Sequence, residues 1–113
     1  MKTNETENMK EITVQELKAL QDGGADFQLI DVREEYEFDA ANLNGEIIPL
    51  ATIIDNKDKV RTDIPVIIHC KAGGRSAVAV NALESQFGFT NLHNLKGGIL
   101  AYAAEIDPSL SPI

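Results

Sequence analysis

Pro65-Val66-Ile67-Ile68-His69-Cys70-Lys71-Ala72-Gly73-Gly74-Arg75-Ser76 carries the only cysteine of the chain at the point where an apolar run stops. Val66, Ile67 and Ile68 are consecutive β-branched residues, the pattern of a strand covered on both faces, and Pro65 stands at its first position, where a missing N–H is tolerated. From Ser76 the periodicity becomes helical. Ser76 reads as the cap of a helix carrying Val78, Ala79, Val80, Ala82, Leu83 and Phe87, with Gly88 as its C-terminal stop. The order is strand, tight glycine-containing loop, helix.

That order gives Cys70 a chemical environment. In a parallel α/β sheet, ligands bind at the carboxyl ends of the strands, where the next helix presents unpaired N–H groups and a partial positive charge. Gly73 and Gly74 allow the backbone to curl its amides inward as an anion-binding nest, and Lys71 and Arg75 add positive charge. All of this favours the thiolate, the nucleophilic form. The alternative is that Cys70 is one more small hydrophobe at a strand end. The paired glycines and cations beside it argue against that, since packing does not require them.

The 113 residues suit one domain with a single core, and show no internal repeat. No apolar run reaches the ~20 residues of a membrane span. The first ten residues lack the apolar centre of a secretory signal, so a soluble cytoplasmic protein is expected. One cysteine makes no internal disulfide, and with two unclustered histidines no metal site is expected. The net charge of −8 argues against nucleic acid or an anionic membrane as a partner. Through Ile64 there are seven Lys or Arg against fifteen Asp or Glu, and from Pro65 on three against three. The acid therefore lies in the first half, either as a face for a basic partner or as solvated surface.

Met1 to Asn8 reads as a loose polar tail and the remainder, residues 9–113, as a single domain. Met9 to Ile12 is a candidate edge strand. Thr13 and Glu16 fit a capping box that opens a helix with Val14, Leu17 and Leu20 on one face, stopped by Gly23-Gly24. Phe27 to Ile30 forms a strand ending at Asp31. Glu34 to Ala41 reads as a short acidic helix turning Tyr36 or Phe38 and Ala40 or Ala41 inward. Glu46 to Pro49 and Asn91 to Leu95 are further strands, and Gly97-Gly98 turns into a helix from Ile99 to Glu105 with Tyr102 packed. His69 alternates away from Cys70 and is expected to make a structural hydrogen bond, and His93 to be exposed. Strands alternating with helices over short links predict a parallel sheet covered on both sides.

Cys70-Lys71-Ala72-Gly73-Gly74-Arg75-Ser76 resembles the active-site loop of single-domain rhodanese-type sulfurtransferases. Asp31-Val32-Arg33, Asn42-Leu43-Asn44-Gly45 before Ile48-Pro49-Leu50, and Leu95-Lys96-Gly97-Gly98-Ile99 match further marks of the family in order. Asn42 stands where many members have histidine. That departure, with the segment Ala103 to Leu110, resembles the rhodanese domains attached to adenylyltransferases that activate sulfur-carrier proteins. The resemblance implies a rhodanese-like three-layer sandwich with a five-stranded sheet, a catalytic Cys70 that carries a persulfide, and no cofactor. It implies that Lys71, Ala72, Gly73, Gly74, Arg75 and Ser76 bind the substrate while Asp31 and Arg33 support the site. The partners implied are a small anionic sulfur donor and a sulfur-carrier or thiol protein as acceptor.

Two other functions fit parts of the pattern. Cysteine phosphatases and arsenate reductases place arginine six residues after the cysteine, where this chain has Ser76; Arg75 comes one residue sooner, in a smaller loop. A non-catalytic rhodanese module would bind a partner without turnover, and such modules commonly lack the cysteine.

Overall fold

The computed structural model describes residues 9–113. The tail expected at Met1 to Asn8 lies outside the described residues. The strands are β1 (Glu11–Ile12), β2 (Gln28–Asp31), β3 (Glu46–Ile47), β4 (Val66–His69) and β5 (Leu92–Leu95). They form one five-stranded sheet in the order β1-β5-β4-β2-β3, and every pairing is parallel. The apolar run of Val66 to Ile68 thus lies in the central strand and is fully buried, as a strand covered on both faces must be.

Four helices cover the sheet: α1 (Val14–Asp22), α2 (Glu35–Ala40), α3 (Gly74–Phe87) and α4 (Gly98–Glu105). Alternation along β4 sorts the core into two. Val66, Ile68 and Cys70 pack with Ala79, Val80 and Leu83 of α3. Ile67 packs on the other face with Val14 and Leu17 of α1 and with Ile99 and Tyr102 of α4. The α/β sandwich expected from the sequence is the observed architecture.

Local signals explain most boundaries. Thr13 caps α1 by accepting from the Glu16 amide at 3.1 Å, while Glu16 Oε1 accepts from the Thr13 amide at 2.9 Å. Gly88 ends α3 in the left-handed conformation at φ 73°. Between β3 and β4 the chain makes a 3₁₀ turn at Leu50–Thr52 and another at Lys57–Lys59.

Three expectations need correction. Ser76 does not cap α3: Gly73 does, at φ 113°, and the helix begins at Gly74, which places Ser76 in its first turn and fully buried. The left-handed turn at Gly73 starts the helix at once, earlier than a serine cap in extended backbone would. In the α2 segment Phe38 is half-buried and Ala41 buried, as one of each expected alternative, but Tyr36 is 65% exposed and the most buried residue of the helix is Glu37, at 5%, which was not expected to turn inward. His93 is half-buried, with no hydrogen-bond partner for Nδ1 among the described residues. No helix among the described residues is long and apolar enough to cross a membrane.

Candidate active site

β4 delivers Cys70 to the carboxyl end of the sheet, and the backbone then closes a loop over its sulfur. The Gly73 amide donates to Cys70 Sγ at 3.1 Å, and the Ser76 hydroxyl lies within donating distance at 3.4 Å. Burial acts to raise the Cys70 pKa, but the Ser76 hydroxyl and the amides of Ser76, Gly73 and Ala72 outweigh it and hold the thiol below its ordinary value. The loop therefore curls over the sulfur, with the Gly73 amide the one at hydrogen-bond distance. It is also tight, since Cys70 is only 1% exposed, while Ala72 and Gly74 stand exposed at the rim and Lys71 is half-buried.

Only one of the two loop glycines is required by the backbone. Gly73 occupies the left-handed region that disfavours side chains, whereas Gly74 is helical and a Cβ there would meet nothing within 4 Å. A third glycine matters more than the sequence indicated. Gly98, at φ +60°, packs against the loop so closely that a Cβ would come within 2.6 Å of the Cys70 carbonyl oxygen and would also strike Lys71 O. That approach lets the first turn of α4 grip the loop: the Ile99 amide donates to Cys70 O at 3.0 Å and the Leu100 amide to Lys71 O at 3.1 Å.

Arg75 turns from the loop toward α2. Its Nη1 and Nη2 donate to Glu37 Oε1 and Oε2 at 2.7 and 2.9 Å, a bidentate pair. The Arg75 hydrogen bonds, acting against burial, push the Glu37 carboxyl down to about 2. The same contact raises the Arg75 guanidinium further above its already high value. Nothing in the acidic run Glu34-Glu35-Tyr36-Glu37 marks one carboxylate as buried, which is why sequence reading missed it.

Asp31 and Arg33 form a separate, wholly buried pair. Arg33 Nη2 and Nε donate to the Asp31 carboxylate at 2.8 and 3.0 Å, and both side chains have no exposure. Arg33 Nη2 also donates to Ala41 O at 2.8 Å, so the pair fixes the far end of α2, the helix that carries Glu37. Neither hydrogen-bonds the sulfur; the pair joins the end of β2 to the end of α2. His69 lies beside them, its Nδ1 3.2 Å from Cys70 O and its Nε2 3.6 Å from Asp31 Oδ2. Burial lowers the His69 pKa, and the ring lies on the face of β4 opposite Cys70, as alternation required.

A second residue escaped the sequence reading. Asn94 of β5, 4% exposed, meets Ser76 Oγ through Oδ1 at 2.5 Å and Gly73 O through Nδ2 at 3.3 Å. Its partners lie far away in sequence, and no local pattern announces them.

Residues 13–105 match the model of the family described as rhodanese-like domain. The chain belongs to the rhodanese-like domain family. Among the relatives of this rhodanese-like chain, the uncharacterized protein YqhL of Bacillus subtilis is 38% identical over 87% of this chain and 75% of its own length. The probable adenylyltransferase/sulfurtransferase MoeZ of Mycobacterium tuberculosis is 35% identical over 88% of this chain, which spans only 26% of that protein. The crystal structure of a rhodanese-like domain protein from Staphylococcus aureus superposes with a TM-score of 0.75 at 32% identity, covering 93% of this chain and 99% of that one. The rhodanese-like domain described here is thus related to domains found within sulfurtransferases.

Proposed function

We propose that this rhodanese-like domain is a sulfurtransferase that moves a sulfane sulfur through a Cys70 persulfide. The observation that carries the reading is the pair of donors, the Gly73 amide and the Ser76 hydroxyl, converging on Cys70 Sγ. They favour an anionic sulfur, which is the form that attacks. With thiosulfate as donor, the Cys70 thiolate attacks the outer sulfur, the S–S bond of the donor breaks, and sulfite leaves with the electron pair. Cys70 is then a persulfide anion. In the second step a nucleophile such as cyanide takes the terminal sulfur, leaving as thiocyanate and restoring the thiolate, so charge and sulfur balance in each step and the kinetics are ping-pong.

Lys71 and Arg75 differ as ligands for the anionic donor. Arg75 is neutralised by Glu37, whereas Lys71 joins no ion pair among the described residues. Lys71 therefore supplies the unpaired positive charge at the mouth, and Arg75 chiefly holds the loop to α2. The likeness to the probable adenylyltransferase/sulfurtransferase supports a sulfur-carrier protein as the acceptor.

Intact-mass measurement after exposure to thiosulfate tests the reading. A gain of one sulfur, about 32 Da, that is absent in Cys70→Ala is the expected result. A second reading, a binding module without turnover, is favoured by one fact, the 1% exposure of Cys70. No mass gain from thiosulfate or from a small organic persulfide would leave that module as the function.

A further inference from the structure

Ser76 Oγ lies within reach of three acceptors: Asn94 Oδ1 at 2.5 Å, Gly73 O at 3.2 Å and Cys70 Sγ at 3.4 Å. A serine hydroxyl has one proton, so it serves one of them at a time. Asn94 is nearly sealed from solvent, and burying an amide is unfavourable unless its polar atoms are partnered. Both of its polar atoms are directed at groups that surround the sulfur, Ser76 and the Gly73 carbonyl, and at nothing else among the described residues.

We propose that Asn94 is a positioning residue: it holds the Ser76 hydroxyl proton while Cys70 is a neutral thiol and yields it to the sulfur when the sulfur ionises. The contact to Asn94 is the shortest of the three, and a neutral thiol is a weak acceptor that does not compete with an amide oxygen. An ionised sulfur does compete, because hydrogen bonds to a charged acceptor are roughly twice as strong as neutral ones. The hydroxyl changes partner by rotating about its own Cβ–Oγ bond, with no backbone movement. When it does so, Asn94 Nδ2 stays on the Gly73 carbonyl while Oδ1 gives up its donor, a cost that the charged sulfur outweighs.

The charged groups around the sulfur are otherwise engaged or turned away. Arg75 is held by Glu37, and His69 faces Asp31 on the opposite side of β4. Lys71 in the loop, and His93 and Lys96 on or beside β5, make no hydrogen bond to Ser76 or Asn94 among the described residues. The exchange therefore runs between three side chains.

The proposal rests on the sulfurtransferase reading for its use, but its test needs no sulfur donor. The rate of Cys70 alkylation by iodoacetamide, followed across pH, reports the thiolate fraction. Asn94→Leu removes the competing acceptor, and the alkylation midpoint is expected to fall by about half a unit to one unit. Ser76→Ala is expected to raise the midpoint. In the Ser76→Ala background, Asn94→Leu should leave the midpoint where it was, because the amide acts only through the hydroxyl. An equal shift in both backgrounds, or no shift from Asn94→Leu alone, overturns the proposal. Should Asn94→Leu fail to fold, the side-chain amide signal of Asn94 in the unaltered chain decides. Its resonance is expected to move with the alkylation midpoint, and a signal that stays flat through it overturns the proposal. A chain that alkylates as expected yet gains no sulfur would remove the reaction and leave this proton arrangement standing.

Discussion

Two arginine–carboxylate pairs stand at the same end of the sheet, and they differ in what surrounds them. Asp31 and Arg33 are both without exposure, and Arg33 directs a further donor to the Ala41 carbonyl. Glu37 and Arg75 have side-chain exposures of 6% and 37%, so one edge of the guanidinium meets solvent. The first pair replaces the water that neither partner can reach, and its contacts are all inside the protein. The second ties the Cys70 loop to α2, and its part-exposed arginine can be altered without opening the core. Charge pairing of one chemical type thus serves architecture in one place and the site in the other.

Removing the buried cation should break that distinction most severely. Arg33→Ala leaves Asp31 as an unpaired buried charge, and a loss of about 3–5 kcal/mol is expected by urea unfolding. Arg75→Ala is expected to cost about 1–2 kcal/mol, since water can reach part of the gap, while thiosulfate use weakens through a higher KM. Equal losses from the two variants would erase the contrast. The smallest effect is in acid. Glu37 has its folded pKa depressed from 4.5 to about 2, so its contribution is complete above 4.5 and fades as pH falls toward about 2. The stability gap between the unaltered chain and Arg75→Ala should accordingly narrow between those values, as urea titrations at about pH 6 and about pH 3 would reveal. A gap that stayed constant would remove Arg75 as the group that holds the Glu37 carboxyl down.

The fold was legible because its signals are local. Val66 to Ile68 marked the central strand, Thr13 and Glu16 the first helix, and Gly88 and Gly97-Gly98 the later turns, with strand limits displaced by one or two residues. The place of Cys70, at the end of the central strand and the head of a glycine-containing loop, was legible for the same reason, since it is flanked by residues that packing does not demand. What closes around it was not. Ser76 looked like a cap because serine commonly is one, but the left-handed turn at Gly73 had already begun the helix and freed the hydroxyl for the interior. Glu37 sits among carboxylates that face solvent, and only the approach of Arg75, distant in sequence, tells it apart. Asn94 meets Ser76 across two adjacent elements, a relation that periodicity does not encode. Pairings between remote residues arise from the topology, after the elements have formed.

The grip of Ile99 and Leu100 on the carbonyls of Cys70 and Lys71 sets an order of events during synthesis. A ribosome makes the cysteine well before it makes the residues that hold the loop shut, so on a growing chain the thiol exists for a time without its enclosure. Helix α4, translated later, completes the geometry around an atom already made.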